Sequence, residues 1–405
     1  MLEDIFIGRD LIRVPGSSVI AIPAHDEANH IERCLAALAV QRDGTGAPVA
    51  QGAFEILVYA NNCKDQTAAI VRAFAAKVPH PLRVVEEQLP PFRQNAGWAR
   101  KRAMDLAAAR FIGNGAFGHG QPKGFILTTD ADSTVAPTWF AANIREFAQG
   151  ADCVAGYVDA NPLELVSLGR AFLARGRIED AYLRLLAEID ARCDPRPHDP
   201  WPNHRVASGA SLAVTVAAYA AVGGLPPRPV GEDLALTRVL TRAGFRVRHS
   251  MEVCVSTSCR FDGRARGGAA DTMRHRHAVP DAPCDEDIEP ALEATRRAVC
   301  RRMLRRISEA PAGAPDALFP RLGISPAGAA LIQNSSAGSF EQIWEIACEH
   351  SPVLAQRKRL RPSELPRQIA MAEMILRQLR PAPSGAKTAP AGKRRRERAS
   401  EPAIG

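Results

Sequence analysis

Short apolar runs separated by amphipathic stretches constrain this 405-residue chain more than any other feature. Residues 17–24 read as a buried strand, followed by a turn at His25-Asp26-Glu27 and a helix carrying Ile31, Leu35 and Leu38 at near-helical spacing. The unit then recurs. Residues 54–60 give a second strand, 61–65 a polar loop and 67–76 an amphipathic helix; 82–85 give a third strand, 96–109 a helix and 125–129 a fourth strand. Strands alternating with helices at this rhythm predict an α/β fold with a mostly parallel sheet, its site formed by loops at the strand carboxyl ends. Beyond them the pattern predicts a helix at 138–148, a strand at 153–158, a long helical stretch at 163–192, a proline-rich loop at 195–202, a helix opening at Glu232-Asp233 and an edge strand at 253–256.

The fourth strand ends in Asp130-Ala131-Asp132, followed by Ser133. Side chains at i and i+2 share one face of a strand, so both carboxylates can lean into the crevice beyond its end. A hard cation such as Mg2+ or Mn2+ takes oxygen ligands, commonly one or two carboxylates with phosphate oxygens and waters completing the shell. By itself the triplet equally fits a solvated turn or a helix cap.

Composition narrows the class. With 46% apolar and 24% charged residues, the chain can bury a large core. Residues 1–10 include Glu3 and Asp4 and do not read as a secretory signal, and the apolar run at 206–224 is diluted by Ser208, Gly209, Ser211, Thr215 and Tyr219. Nine cysteines, an odd number without Cys-x-x-Cys spacing, read as thiols in a reducing compartment. These features predict a cytoplasmic enzyme with no transmembrane segment, peripheral membrane contact staying open. The net charge of +8 gathers toward the carboxyl end, at Arg301-Arg302, Arg305-Arg306, Arg357-Lys358-Arg359 and 393–396. No aromatic platform accompanies it, so a solvated basic region is expected rather than a specific nucleic-acid site. The expected organisation is a core domain at 1–280, a helical extension at 281–380 and a disordered basic tail at 381–405.

Four motifs fall in order: I-P-A-H-D-E at 22–27, N-N-C-K-D-Q-T at 61–67, T-T-D-A-D-S at 128–133 and G-G-L-P-P-R-P-V-G-E-D at 223–233. Together they resemble the inverting, nucleotide-sugar-dependent glycosyltransferases of family 2, over roughly residues 17–265. The resemblance implies the GT-A fold, a Rossmann-like sheet flanked by helices, and a Mn2+ or Mg2+ cofactor. It implies a nucleotide-sugar donor and a hydroxyl acceptor, whether saccharide, lipid-linked or small molecule. It places Pro23, Ala24 and Glu27 at the nucleotide pocket, Asp132 as metal ligand, Asp130 as a ribose or second metal contact, and Asp233 as catalytic base with Glu232 its neighbour and fallback. Arg100, within R-Q-N-A-G-W-A-R-K-R at 93–102, is implied to reach the nucleotide or its phosphates.

One departure stands out. Where the family carries an acid pair, this chain has Ala60 and Asn61. An amide both donates and accepts, whereas a carboxylate only accepts, so uracil, guanine and thymine all stay open as the base. Asp65 and Thr67 also read simply as a helix start. His249 reads either as a late metal ligand or as an ordinary polar residue, and Arg260, Arg264 and Arg266 among glycines as a flap or an exposed loop. Ser208-Gly209-Ala210 fits either an acceptor wall or close backbone packing. A sugar-nucleotide pyrophosphorylase would need a glycine-rich loop with an arginine after the first strand, where Ala24-His25-Asp26 stands instead. A non-catalytic nucleotide-sugar-binding protein, or a scaffold using its basic tail, is the third class.

Overall fold

The computed structural model describes residues 18–112, 124–263, 267–308, 318–335, 339–355 and 358–379. Its strands are β1 (Ser18–Ala24), β2 (Glu55–Asn61), β3 (Leu82–Glu87), β4 (Phe125–Thr128), β5 (Thr134–Val135), β6 (Cys153–Ala160), β7 (Leu212–Thr215) and β8 (Val247–Thr257). They form one sheet in the order β3-β2-β1-β4-β7-β6-β8-β5. Strands β1 to β4, β6 and β8 run in one direction; β7, between β4 and β6, and β5, beside β8, run against them.

Fifteen helices are described: α1 (Ile31–Ala39), α2 (Thr67–Phe74), α3 (Ala96–Ile112), α4 (Trp139–Ala148), α5 (Pro162–Ser167), α6 (Arg170–Cys193), α7 (Val216–Ala221), α8 (Glu232–Arg242), α9 (Ala269–Ala278), α10 (Ala291–Ser308), α11 (Leu318–Arg321), α12 (Pro326–Asn334), α13 (Phe340–Glu349), α14 (Pro352–Ala355) and α15 (Leu365–Leu379). Alternation along β1 sends Ile20 and Ile22 to a core with α1, α2 and α4, and Val19 and Ala21 to a second core with α3, α7 and α8. Both faces of the central strands are therefore covered, which is why those strands read as continuous apolar runs. The sheet positions everything that follows.

Two sequence expectations change. The strand expected at 253–256 on an edge is eleven residues long and lies inside the sheet, between β6 and β5. Its first half carries buried Arg248 and half-buried His249, whose polar side chains mask the apolar pattern; Arg248 is satisfied by Asp199, Glu146 and the carbonyls of Pro200 and Pro202. The helical stretch at 163–192 is two helices, broken where Gly169 takes a φ of 90° that other residues adopt only with strain. The apolar run at 206–224 divides into β7 and α7, and no helix among the described residues is long and apolar enough to cross a membrane.

Carboxyl-terminal helices α10 and α15 pack on α6 through Tyr182, Leu186, Ile189, Leu365 and Leu376, and α10 to α14 enclose a smaller core around Leu304, Phe319 and Ile343. Much of the basic charge there is internal. Arg305 holds buried Asp194 at 2.9 Å and Arg301 holds Glu341 at 2.5 Å. The tail expected at 381–405 lies outside the described residues.

Candidate active site

Beyond the carboxyl ends of β1, β2 and β4 lies a cleft of about 280 Å3, lined by Pro23, Ala24, Glu27, Asn61, Arg100, Asp130, Asp132 and Arg260, with His25, Gln94 and Asn95 at its wall. Its floor is set by two interlocked loops. Asp65 accepts the Thr67 N–H at 2.9 Å and hydroxyl at 2.5 Å, and its other oxygen accepts the Ala28 N–H at 2.9 Å. The Thr67 hydroxyl in turn accepts the Glu27 N–H at 2.8 Å. Asp65 thus supports the start of α2 and, through it, the backbone of Glu27. Asp26, at a left-handed φ of 52°, turns its carboxylate onto the Lys64 N–H at 2.6 Å and closes the same junction.

Arg100 is buried and divides its donors among protein groups. Nε donates to Glu232 at 3.0 Å, one terminal nitrogen to Thr128 at 3.2 Å and to the Gly209 carbonyl at 2.8 Å, and the other to Asp130 at 2.7 Å. Four of five N–H groups are so used. This departs from the phosphate-reaching role implied for it: Arg100 ties α3, β4, the Gly209 turn and α8 to one point. Burial opposes its charge, but Asp130 and Glu232 hold it protonated. Removing one partner of a buried pair leaves uncompensated charge and typically costs about 3–5 kcal/mol. Arg100→Met is expected to lower unfolding stability by about that amount, and Arg100→Met with Glu232→Gln to regain part of it; denaturant melts that agree within about 1 kcal/mol with the unsubstituted protein would sink this reading.

Close packing around Arg100 accounts for two glycines. A Cβ on Gly209 would sit 2.2 Å from the Arg100 guanidinium carbon, and one on Gly97 1.7 Å from the Arg228 carbonyl oxygen, in the loop leading to Glu232. Within Ser208-Gly209-Ala210, close packing of Gly209 on the Arg100 guanidinium is thereby a reason for a residue without a side chain. Gly209 also links to the expected base: its N–H donates to Asp233 at 2.8 Å, while the other Asp233 oxygen accepts the Leu234 N–H at 2.7 Å. Asp233 is half-buried at the amino terminus of α8 and does not line the cleft itself. Glu232, by contrast, is buried against Arg100.

Asp132 faces Arg260. The guanidinium makes a two-pronged bond to Glu27, at 2.9 and 2.5 Å, and lies 3.0 Å from Asp132 Oδ2. Burial, and then the neighbouring Asp130 charge, push the Asp132 carboxyl up to about 7, against the opposing pull of Arg260. Asn61 lines the cleft, and its backbone carbonyl meets His25 Nδ1 at 2.7 Å.

His249 is not part of this cleft. Its Nδ1 lies 3.1 Å from buried Asp199, and the ring lines a separate cavity with Arg205, Glu289 and Arg301, so a role as ligand beside Asp132 is not supported. Arg264 and Arg266 lie outside the described residues. Sequence reasoning missed Gln94, Asn95 and His25 as lining residues, although all stand inside motifs already singled out. Arg260 figured only as a flap residue, because nothing in local spacing signals a contact 233 positions away.

The donor set suits a hard divalent cation: Asp130 and Asp132 converge as carboxylates, and a cationic guanidinium already sits on Asp132. Residues 19–185 match the family model "Glycosyl transferase family 2". No curated protein sequence matches the chain. Solved structures similar to it include a mannosyltransferase, PcManGT, from Pyrobaculum calidifontis in complex with GDP-Man and Mn2+, at 17% identity and a TM-score of 0.42, covering 82% of this chain and 86% of that one. TarS 1-349 of S. aureus in complex with UDP is 14% identical with a TM-score of 0.43, covering 90% and 92%; its complex with UDP-GlcNAc is 16% identical with a TM-score of 0.43, covering 89% and 91%. Over residues 19–185, where β1 to β4 deliver the paired acids, the chain is thus similar to glycosyl transferase family 2.

Proposed function

We propose that this cleft moves a sugar from a nucleotide-diphosphate donor to an acceptor hydroxyl, with inversion and with the assistance of Mn2+ or Mg2+. The observation that carries the reading is the convergence of Glu27, Asp130 and Asp132 on one cleft, joined through Arg100 to the Glu232-Asp233 pair 132 residues further along the chain. Pro23 and Ala24 form the nucleotide wall, and the Asn61 amide reads the base with both a donor and an acceptor. Asp132, with Asp130, would hold the divalent cation, which when bound neutralises negative charge growing on the departing nucleoside diphosphate.

Asp233 takes the proton of the acceptor hydroxyl as its oxygen attacks the anomeric carbon. The N–H bonds from Gly209 and Leu234 orient the carboxylate and leave lone pairs for that proton. Direct displacement from the opposite side needs no covalent enzyme intermediate, and Glu232, already committed to Arg100, is the fallback base. Screening UDP-, GDP- and dTDP-sugars for thermal stabilisation and donor hydrolysis, with and without Mn2+, tests the reading. One donor class is expected to raise Tm and to be hydrolysed in a cation-dependent way; no response to any of them would defeat it.

A further inference from the structure

Arg260 stands where a cation on Asp132 would have to stand. The residue follows β8 by two positions that are pinned: the Ser258 hydroxyl and the Cys259 N–H both donate to Glu164, at 2.6 and 2.8 Å. From that anchor the side chain reaches back across the cleft. A single terminal nitrogen lies 2.5 Å from Glu27 Oε1 and 3.0 Å from Asp132 Oδ2, while the other donates to Glu27 Oε2 at 2.9 Å. Its side chain is about one-fifth exposed, so it can swing outward without unfolding its surroundings.

Without Arg260, the charges bearing most directly on Asp132 are those of Asp130 and Glu27, of its own sign. A divalent ion and a guanidinium cannot share Asp132 Oδ2, because like charges at such separation repel strongly in a partly buried site. We infer that Arg260 is an internal counter-ion occupying the cation's place in the donor-free protein, and that the ion enters as the guanidinium is drawn off Asp132 by the donor's diphosphate. This rests on the nucleotide-sugar reading of the cleft. The diphosphate is the fitting trigger, since a planar guanidinium pairs with phosphate oxygens as readily as with carboxylates. The consequence is order: the ion binds weakly before the nucleotide and firmly with it.

The test is Mn2+ binding to the full chain, read from the electron paramagnetic resonance signal of free Mn2+, without any nucleotide and then with UDP or GDP. Arg260→Gln is expected to bind Mn2+ about tenfold or more tightly than the unsubstituted protein when no nucleotide is present, because the competing occupant is gone. Adding the nucleotide should then tighten Mn2+ binding in the unsubstituted protein by a larger factor than in Arg260→Gln. Arg260→Lys, which keeps one positive charge but loses the two-pronged bond, should fall between them, and circular dichroism establishes that each variant is folded. The rise in Tm on adding Mn2+ alone should likewise be larger for Arg260→Gln. Equal or weaker Mn2+ binding by folded Arg260→Gln, while the unsubstituted protein binds Mn2+ with UDP or GDP, overturns this inference and leaves the metal-assisted reading standing. Failure of both proteins to bind Mn2+ with either nucleotide overturns that reading and this inference together.

Discussion

Asp132→Ala is expected to abolish the cation-dependent part of donor stabilisation, so that a nucleotide sugar with Mn2+ raises Tm no further than the nucleotide sugar alone. A ligand present at 100 times its Kd stabilises the folded state by about 2.7 kcal/mol, which sets the scale of the loss. The variant without ligand should not be destabilised in proportion, since the carboxyl removed is buried beside Asp130 and held near 7. That elevation also fixes a pH dependence. Its folded-state value lies above the ordinary 3.8, so between about pH 4 and 7 the folded state binds more protons than the unfolded one. The contribution of this group to stability is therefore fully present below about pH 4 and is lost as pH rises toward 7. Asp132→Asn should flatten that portion of the ligand-free stability profile. Mn2+ affinity should run the opposite way, rising from pH 6 to 8 as the competing proton leaves. A Mn2+-dependent Tm shift retained in Asp132→Ala would move the ion elsewhere.

Asp233→Asn should keep donor and Mn2+ binding while turnover falls by a factor of about 10² to 10⁴, the usual contribution of a positioned general base. The amide preserves the shape that accepts the Gly209 N–H but cannot take the acceptor's proton. Fold and donor affinity thus serve as internal controls, measured by thermal shift beside a transfer assay. Retained turnover would pass the base role to Glu232, whose own substitution is harder to interpret because it also releases the buried Arg100.

Most of the scaffold was legible. Val19 to Ile22 announce a strand covered on both faces, the apolar spacing of Ile31, Leu35 and Leu38 announces α1, and the end of β4 announces where Asp130 and Asp132 must lie. Helix α8 was visible from the acidic pair Glu232-Asp233 that opens it. Strand β8 was half hidden, because Arg248 and His249 are turned inward onto Asp199 by contacts that the local pattern cannot reveal. The break between α5 and α6 falls at one glycine with a left-handed φ.

By itself, then, the order of residues determined where β1 to β4 and β6 lie, which of the central faces are apolar and which acids stand at the end of β4, since those follow from periodicities of two and 3.6 along the chain. Only tertiary structure decided the partners of those acids: that Arg100 would be spent on Glu232 and Asp130 rather than on phosphate, that Arg260 would lie across Glu27 and Asp132, and that His249 would turn to Asp199 instead. The physical reason is that charge pairing is set by distance in space and by burial. Neither quantity is written in the spacing between residues 132 or 233 positions apart.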